Sequence, residues 1–384
     1  MTQQKIMILA GEASGDAHAA EFVEVLKRRD PEIQISGMGS RLMKEAGVDL
    51  FYDSSQIAVV GLVEVLRHWG EIKHAMNLVK SRLEAGQPDL LILVDYPEFN
   101  LKMARHAKSL GIKVLFYISP QVWAWRPKRI HKIGKLIDHM AVIFRFETEY
   151  YNKANIPVTF VGHPLVDKVK SSANPDQTRQ SLGIESNQKL IGLFPGSRHS
   201  EISRLLPVLI ETAKKINQQD SSTRFIIPVA DGQDFDAILK QCSQSEASII
   251  LSQSDLYNLI PACDCIVSCS GTVTLEIGLL KTPLCIIYKM SKLSYQIMSR
   301  LIRIPNIGLA NIVAGKPIVK ELLQDYADAE NISLEVFKML NNIEYRKKMI
   351  DDLELVRNNL GKGGGAAKMA ELVQTCLTKL HLGN

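Results

Sequence analysis

The stretch Lys189-Leu-Ile-Gly-Leu-Phe-Pro-Gly-Ser-Arg-His-Ser-Glu-Ile202 decides the fold class. Leu190 to Phe194 is a short apolar run with the length and flanks of a buried parallel strand. It breaks at Pro195-Gly196, and Ser197, Ser200 and Glu201 then supply N-cap and first-turn chemistry for a helix to about Asn217. A strand that feeds a glycine turn and a helix start makes an anion site. Unbonded N–H groups point outward there, and the helix dipole adds partial positive charge. Gly196 and Ser197 form the turn, and Arg198 stands where its guanidinium could grip a phosphate through two parallel hydrogen bonds. An ordinary βα turn carrying a surface arginine would have the same sequence.

Around this centre, 384 residues suffice for two domains with separate cores. The hydrophobic share of 46% and charged share of 23% are those of a globular protein. A net charge of +5 is too mild and diffuse for a dedicated nucleic-acid binder, yet it suits attraction to phosphate or anionic lipid. Six cysteines in so long a chain do not make a disulfide framework, which points to a reducing cytoplasm. The start lacks the pattern of a signal peptide, and no apolar stretch approaches the ~20 residues of a spanning helix. A soluble or peripheral protein is expected.

Ile6 to Ala10 reads as a first buried strand, and Gly11-Glu-Ala-Ser-Gly-Asp-Ala-His18 leaves it to open a helix to about Arg29. No G-x-G-x-x-G or P-loop is present. The spacing of Leu62, Val65, Trp69, Ile72, Met76, Val79 and Leu83 predicts a helix over 61–84, with Val63 and Leu66 widening its apolar face. Its other side is basic, so it either packs into the core or meets membrane or acyl chains. Leu90 to Val94 is a further strand ending in Asp95-Tyr-Pro-Glu-Phe-Asn100. A carboxylate at the carboxyl end of a parallel strand lies where α/β enzymes hold their ligands. Asp95 is therefore a candidate general base, with Glu98 less well placed, although Asp95 could equally cap the next helix. After a strand over 113–118, Ser119-Pro-Gln-Val-Trp-Ala-Trp-Arg126 suggests a rigid rim loop. Further strands are expected over 141–144 and 159–161, and the polar tract Ser171 to Asn174 marks the domain boundary.

The second half repeats the strand–turn–helix pattern, with strands expected over 224–229, 249–251, 265–268 and 284–288. Ser270, Gly271 and Thr272 form a second helix-start anion site, and Glu276 lies one turn further on. Glu276 could accept two hydrogen bonds from a ribose diol, or it is a solvated helix residue. Cys263, Cys265 and Cys269 have no zinc spacing and read as small buried thiols. Gly361-Lys-Gly-Gly-Gly365 is a hinge before a last helix, 366–380.

In this order the motifs resemble the lipid-A-disaccharide synthase family, inverting glycosyltransferases of bacteria that build an outer membrane. The pieces that carry the resemblance are Gly11-Glu-Ala-Ser-Gly-Asp16, Gly61-Leu-Val-Glu-Val-Leu66, Asp95-x-Pro-x-Phe-Asn100 and Ser119-Pro-Gln-Val-Trp-Ala-Trp-Arg126. Gly162-His-Pro164, Pro195-Gly-Ser-Arg198, Ser270-Gly-Thr-x-x-Leu-Glu276 and Asn311-x-x-Ala-Gly315 continue it. The resemblance implies an α/β fold of GT-B architecture, two Rossmann-like domains with parallel sheets facing across a cleft, the C-terminal helix crossing back to the first. Residues 1–168 with 350–384 would be the acceptor-side domain, and 169–349 the UDP-sugar-binding domain.

The implied reaction joins UDP-2,3-diacylglucosamine to 2,3-diacylglucosamine 1-phosphate (lipid X), giving the β-1,6 disaccharide and UDP without cofactor or metal. Asp95 falls on the general base. Gly196, Ser197, Arg198, Ser270, Gly271, Thr272, Glu276 and Asn311 fall on the donor side, and Glu12, Ser14 and Asp16 on the facing wall. Val63, Val65 and Leu66 become candidate acyl or membrane contacts, since both substrates are lipids at the inner-membrane surface. A homodimer is left open, since the sequence does not give the oligomeric state. The sequence departs from the family pattern at Glu98, Arg145 and Ala310. Other readings are a different GT-B nucleotide-sugar enzyme (a UDP-GlcNAc epimerase or a wall-precursor transferase) and a non-catalytic nucleotide-sugar or lipid-binding protein.

Overall fold

The apolar runs form two all-parallel sheets in the structure, a computed structural model that describes residues 3–57, 69–125, 127–291, 295 and 305–381. The first holds β1 (Lys5–Ala10), β2 (Gln34–Gly39), β3 (Asp49–Asp53), β4 (Leu90–Val94), β5 (Lys113–Tyr117), β6 (His139–Val142) and β7 (Val158–Phe160) in the order β3-β2-β1-β4-β5-β6-β7. The second holds β8 (Leu190–Phe194), β9 (Arg224–Pro228), β10 (Ile249–Ser252), β11 (Cys265–Cys269), β12 (Leu284–Tyr288) and β13 (Glu321–Leu323) in the order β10-β9-β8-β11-β12-β13. Counted within its own sheet, each set runs 3-2-1-4-5-6, the doubly wound Rossmann order, and the first adds a seventh strand. Every residue of β4, β8 and β11 is buried, as a sheet covered by helices on both faces requires.

Two compact units result: Met1–Pro164 with Lys362–Asn384, and Leu165–Gly361. The sequence reading placed residues from 350 onward with the first half. Residues 350–361 instead belong to the second unit, because the helix Ile343–Leu360 is continuous and buries Met349, Leu353, Val356 and Leu360. That helix packs against the helices Val273–Leu279 and Leu309–Ala314. It ends at Gly361, and the last helix, Gly365–His381, packs on Ala13–Arg29 of the first unit. Of the long amphipathic pattern, Trp69–Gly86 is helical and buries Ile72, Ala75, Val79 and Leu83 in the first core. Val63, Val65 and Leu66 lie outside the described residues. No helix among the described residues is long and apolar enough to cross a membrane.

Asp16 belongs to this scaffold rather than to a ligand-facing wall. Only 3% exposed, it accepts hydrogen bonds from the backbone N–H groups of Ser40 (2.6 Å), Leu42 (3.0 Å) and Met43 (3.3 Å). It thereby caps the short helix Arg41–Glu45 from a distant element, supplying an acceptor that Ser40 does not. Asp16→Ala should strand these donors and lower stability by about 2 kcal/mol. Urea unfolding with far-UV circular dichroism would measure this, and an unchanged midpoint would remove Asp16 from the scaffold.

Candidate functional site

At the carboxyl edge of the first sheet, pairing of Ala10 with Val94 brings the turn after β1 beside the turn after β4. The Asp95-x-Pro-x-Phe-Asn100 motif builds the second of these turns. Pro97 opens the helix Pro97–Ser109, and Phe99 is buried against the Tyr96 ring at 5.7 Å. Asn100, fully buried, donates through Nδ2 to the carbonyls of Val94 (3.2 Å) and Asp95 (2.6 Å). The chain is thus forced through the left-handed region at Asp95 and Tyr96, both at φ 47°, and the neighbouring strand end has Ile118 at φ 68°. Non-glycine residues in that region carry strain, and such strain gathers at functional sites. The Tyr96 ring lies over Gly11, where a Cβ would come within 2.2 Å of it, so the two turns interlock.

Burial raises the Asp95 carboxyl above the usual carboxylate range, although the Tyr96 N–H and the charge of His18 pull it down. Glu12 is raised by burial and by the charge of Asp95. Glu12 is the N-cap residue of Ala13–Arg29 yet makes no side-chain cap, and Ser14 is exposed one position into that helix. Asp95, Glu12 and His18 therefore form one electrostatic group. Glu98 stands apart, 77% exposed and paired with Arg129 at 2.7 Å.

Residues 122–124 of the tryptophan segment are core rather than rim. Val122, Trp123 and Ala124 are buried, and Trp123 Nε1 donates to Glu147 Oε1 at 3.1 Å while its ring meets Phe146 edge-on at 5.0 Å. Ser119 and Tyr151 share a hydroxyl hydrogen bond of 2.7 Å beside them. Arg126 lies outside the described residues. Burial pushes Glu147 up to about 8 despite hydrogen bonds from Trp123, Phe144 and Ser119. His163 of the Gly162-His-Pro164 motif is likewise buried and pushed down to about 3, by burial and then by the charge of His18.

In the second unit, pairing of Phe194 with Ser268 sets Pro195–Arg198 beside Ser270–Thr272. A cavity of about 520 Å³ opens between them, lined by Gly196, Ser197, Arg198, Ser270, Gly271, Thr272 and Glu276. Burial raises the Glu276 carboxyl, and Glu276 Oε1 accepts from the Tyr257 hydroxyl at 3.1 Å. Ser270 Oγ donates to the Ile307 carbonyl at 3.0 Å. Asn311 does not line the cavity. Fully buried, it donates to Val319 O (2.9 Å) and Glu321 Oε1 (2.7 Å) and accepts from the N–H groups of Ile318 (2.8 Å) and Val319 (3.0 Å). Its amide is spent on the fold. Cys263, Cys265 and Cys269 are buried thiols raised by desolvation. Among the described residues no group of three or more His, Cys, Asp and Glu side chains is placed to hold a metal ion.

The cavity thus lies at the carboxyl edge of a doubly wound sheet, where such folds hold their ligands. The pattern of the family described as "Lipid-A-disaccharide synthetase" matches residues 6–374. The chain belongs to this family. The lipid-A-disaccharide synthase of Geobacter sulfurreducens is 45% identical over 378 residues, covering 98% of both chains. That of Coxiella burnetii is 42% identical over 377 residues, covering 98% of this chain and 100% of its own. Among solved structures, the UDP-GlcNAc 2-epimerase of Neisseria meningitidis bound to UDP-GlcNAc matches with TM-score 0.65 at 14% identity, over 97% of this chain and 100% of that one. The calicheamicin glycosyltransferase matches at 0.59 and 13%, over 98% and 99%. These two share the fold of GT-B enzymes.

Within the lipid-A-disaccharide synthase family frame, Glu147 and Glu321 are the residues that reading the sequence missed. Neither stands at a strand end in a glycine turn, the only local signal available. Glu147 yields a stability prediction. In the folded protein it stays protonated up to about pH 8, whereas in the unfolded chain it ionises near 4.5. Between those values the folded state holds the extra proton, so stability falls as pH rises. Glu147→Gln should therefore flatten the decline in Tm across that window. Equal slopes in both proteins would clear Glu147 of any part in it.

Proposed function

We propose that the protein transfers 2,3-diacylglucosamine from UDP to the 6-hydroxyl of 2,3-diacylglucosamine 1-phosphate, with inversion at the anomeric carbon. The observation that carries this reading is Asp95: a half-buried carboxylate on a strained turn at the switch point of the first sheet, with a raised affinity for protons. A base in that condition is suited to take the hydroxyl proton as the oxygen attacks the anomeric carbon. The new O–C bond forms as the bond to the UDP oxygen breaks, and its electron pair leaves with UDP. Arg198 and the N–H groups of the Ser270–Thr272 turn would stabilise that departing charge. Glu276 would bind the ribose diol, and Glu12 and Ser14 the acceptor side. Asn311 would serve the donor site indirectly, because Glu321, its partner, also accepts from Ile307 and Gly308 next to the Ser270 contact.

Purified protein given UDP-2,3-diacylglucosamine and lipid X in detergent micelles with EDTA should release disaccharide 1-phosphate and UDP in equal amounts. Epimerisation of unacylated UDP-GlcNAc instead would put the epimerase reading in its place. Asp95→Ala should cut turnover by at least ~10² while leaving UDP affinity nearly intact. A parallel loss of both would make Asp95 a binding or folding residue.

Lipid substrates would hold the enzyme at the cytoplasmic face of the inner membrane. Val63, Val65 and Leu66 are the proposed contacts, on the strength of their sequence pattern. Val63→Ser with Leu66→Ser should release the protein from anionic phospholipid vesicles without lowering Tm. A large fall in Tm would return these residues to the core.

A further inference from the structure

The Pro195–Arg198 turn is not an empty cradle. Glu201 Oε2 accepts from the backbone N–H groups of Ser197 (3.3 Å) and Arg198 (3.2 Å), and Oε1 accepts from Arg198 Nη1 (2.8 Å). The Glu201 side chain is 13% exposed, whereas that of Arg198 is 74% exposed. A Cβ on Gly196 would stand 2.4 Å from Glu201 Oε2, and Gly196 has φ 112°, so only glycine lets the turn close over the carboxylate. Glu201, at the third position of the helix His199–Gln219, closes the N-terminal amides as the glutamate of a capping box does, at a helix start of the kind that otherwise takes an anion.

A donor diphosphate could use this turn in two ways. It could expel Glu201 and take over its three donors, or Glu201 could stay and hold Arg198 toward the cavity. Expulsion would break three hydrogen bonds, one of them charge-assisted on both sides, and would place the released carboxylate near the incoming diphosphate. Retention breaks none. One nitrogen of the guanidinium is tethered, and the others stay available on the cavity wall.

We propose that Glu201 is the positioning residue of the donor site: it remains in place, closes the amides of its own turn, and fixes the Arg198 guanidinium for the diphosphate. This rests on the reading of the cavity as a UDP site and adds an unequal division of labour between its two turns. The turn after β8 contributes an oriented side chain rather than backbone donors. Preorganising Arg198 in this way spares the entropy of ordering a long, exposed side chain on binding.

The test is UDP affinity by calorimetry on the full chain, for Glu201→Gln, Arg198→Ala and the double variant. Glu201→Gln retains an oxygen for the turn amides but loses the ion pair. It should weaken UDP binding about tenfold, raise the donor KM more than it lowers kcat, and leave Tm unchanged. In the Arg198→Ala background the same substitution should cost less than about twofold, because its effect runs through the arginine. Penalties that simply add would overturn the proposal. Tighter UDP binding by Glu201→Gln would overturn it in favour of a carboxylate that competes with the diphosphate. Failure of the unaltered protein to bind UDP would bring down the UDP reading and the proposal together, whereas UDP binding indifferent to Glu201→Gln sinks the proposal alone.

Discussion

Both ligand-facing edges depend on one strand pairing each, β1 with β4 and β8 with β11. Right-handed crossovers on either side of such a pair carry their helices to opposite faces of the sheet, so the loops leaving the two strands part and open a crevice. Residues far apart in sequence are aligned there by backbone hydrogen bonds alone. Glu12 comes beside Asp95, and Arg198 beside Ser270, because Ala10 lies opposite Val94 and Phe194 opposite Ser268. A one-residue slip in either register would carry every side chain of the slipped strand to the other face and undo the juxtaposition at that edge.

What the sequence makes legible follows from this. The central strands β1, β4, β8, β11 and β12 are mostly apolar, with Lys5, Gly192 and Ser268 the exceptions, since they are almost wholly buried, and they can be read directly. Away from the centre, β6, β7, β9 and β10 are still read at about their observed positions, but β2, β3 and β13 are not. β2 is Gln-Ile-Ser-Gly-Met-Gly, in which two glycines and two polar residues dilute the pattern. β3 begins and ends in aspartate, and β13 is three residues long. Strands of this kind are held by pairing and tertiary context more than by their own side chains, so local composition carries little of their signal.

The site was legible to the same depth. A polar residue in a glycine turn at the end of a buried strand is visible in sequence, which is how Asp95, Arg198, Ser270 and Glu276 stand out. Which hydrogen bonds such a residue has already made is not visible. Trp123 reads as a rim aromatic until Glu147, supplied from beyond β6, accepts its indole N–H. Arg198 reads as an open phosphate grip until Glu201 is found holding one of its nitrogens.

Hydrogen-bond accounting then sorts residues of equal chemical promise. A buried polar group whose capacity is filled by the backbone gains nothing from a ligand and loses much if disturbed, since leaving its partners unmade costs the full desolvation of each. Asp16 with three N–H donors and Asn311 with four bonds are of this kind. Asp95 is the opposite case. Asn100 engages its main-chain carbonyl and Tyr117 its N–H, which leaves the carboxylate partly desolvated with the Tyr96 N–H to offset the burial. The cost of that arrangement is visible as left-handed backbone at two successive residues, of order 1–3 kcal/mol each. Strained backbone and a partly buried carboxylate thus occur together at Asp95, and the fully buried Asn100 holds the turn that carries both.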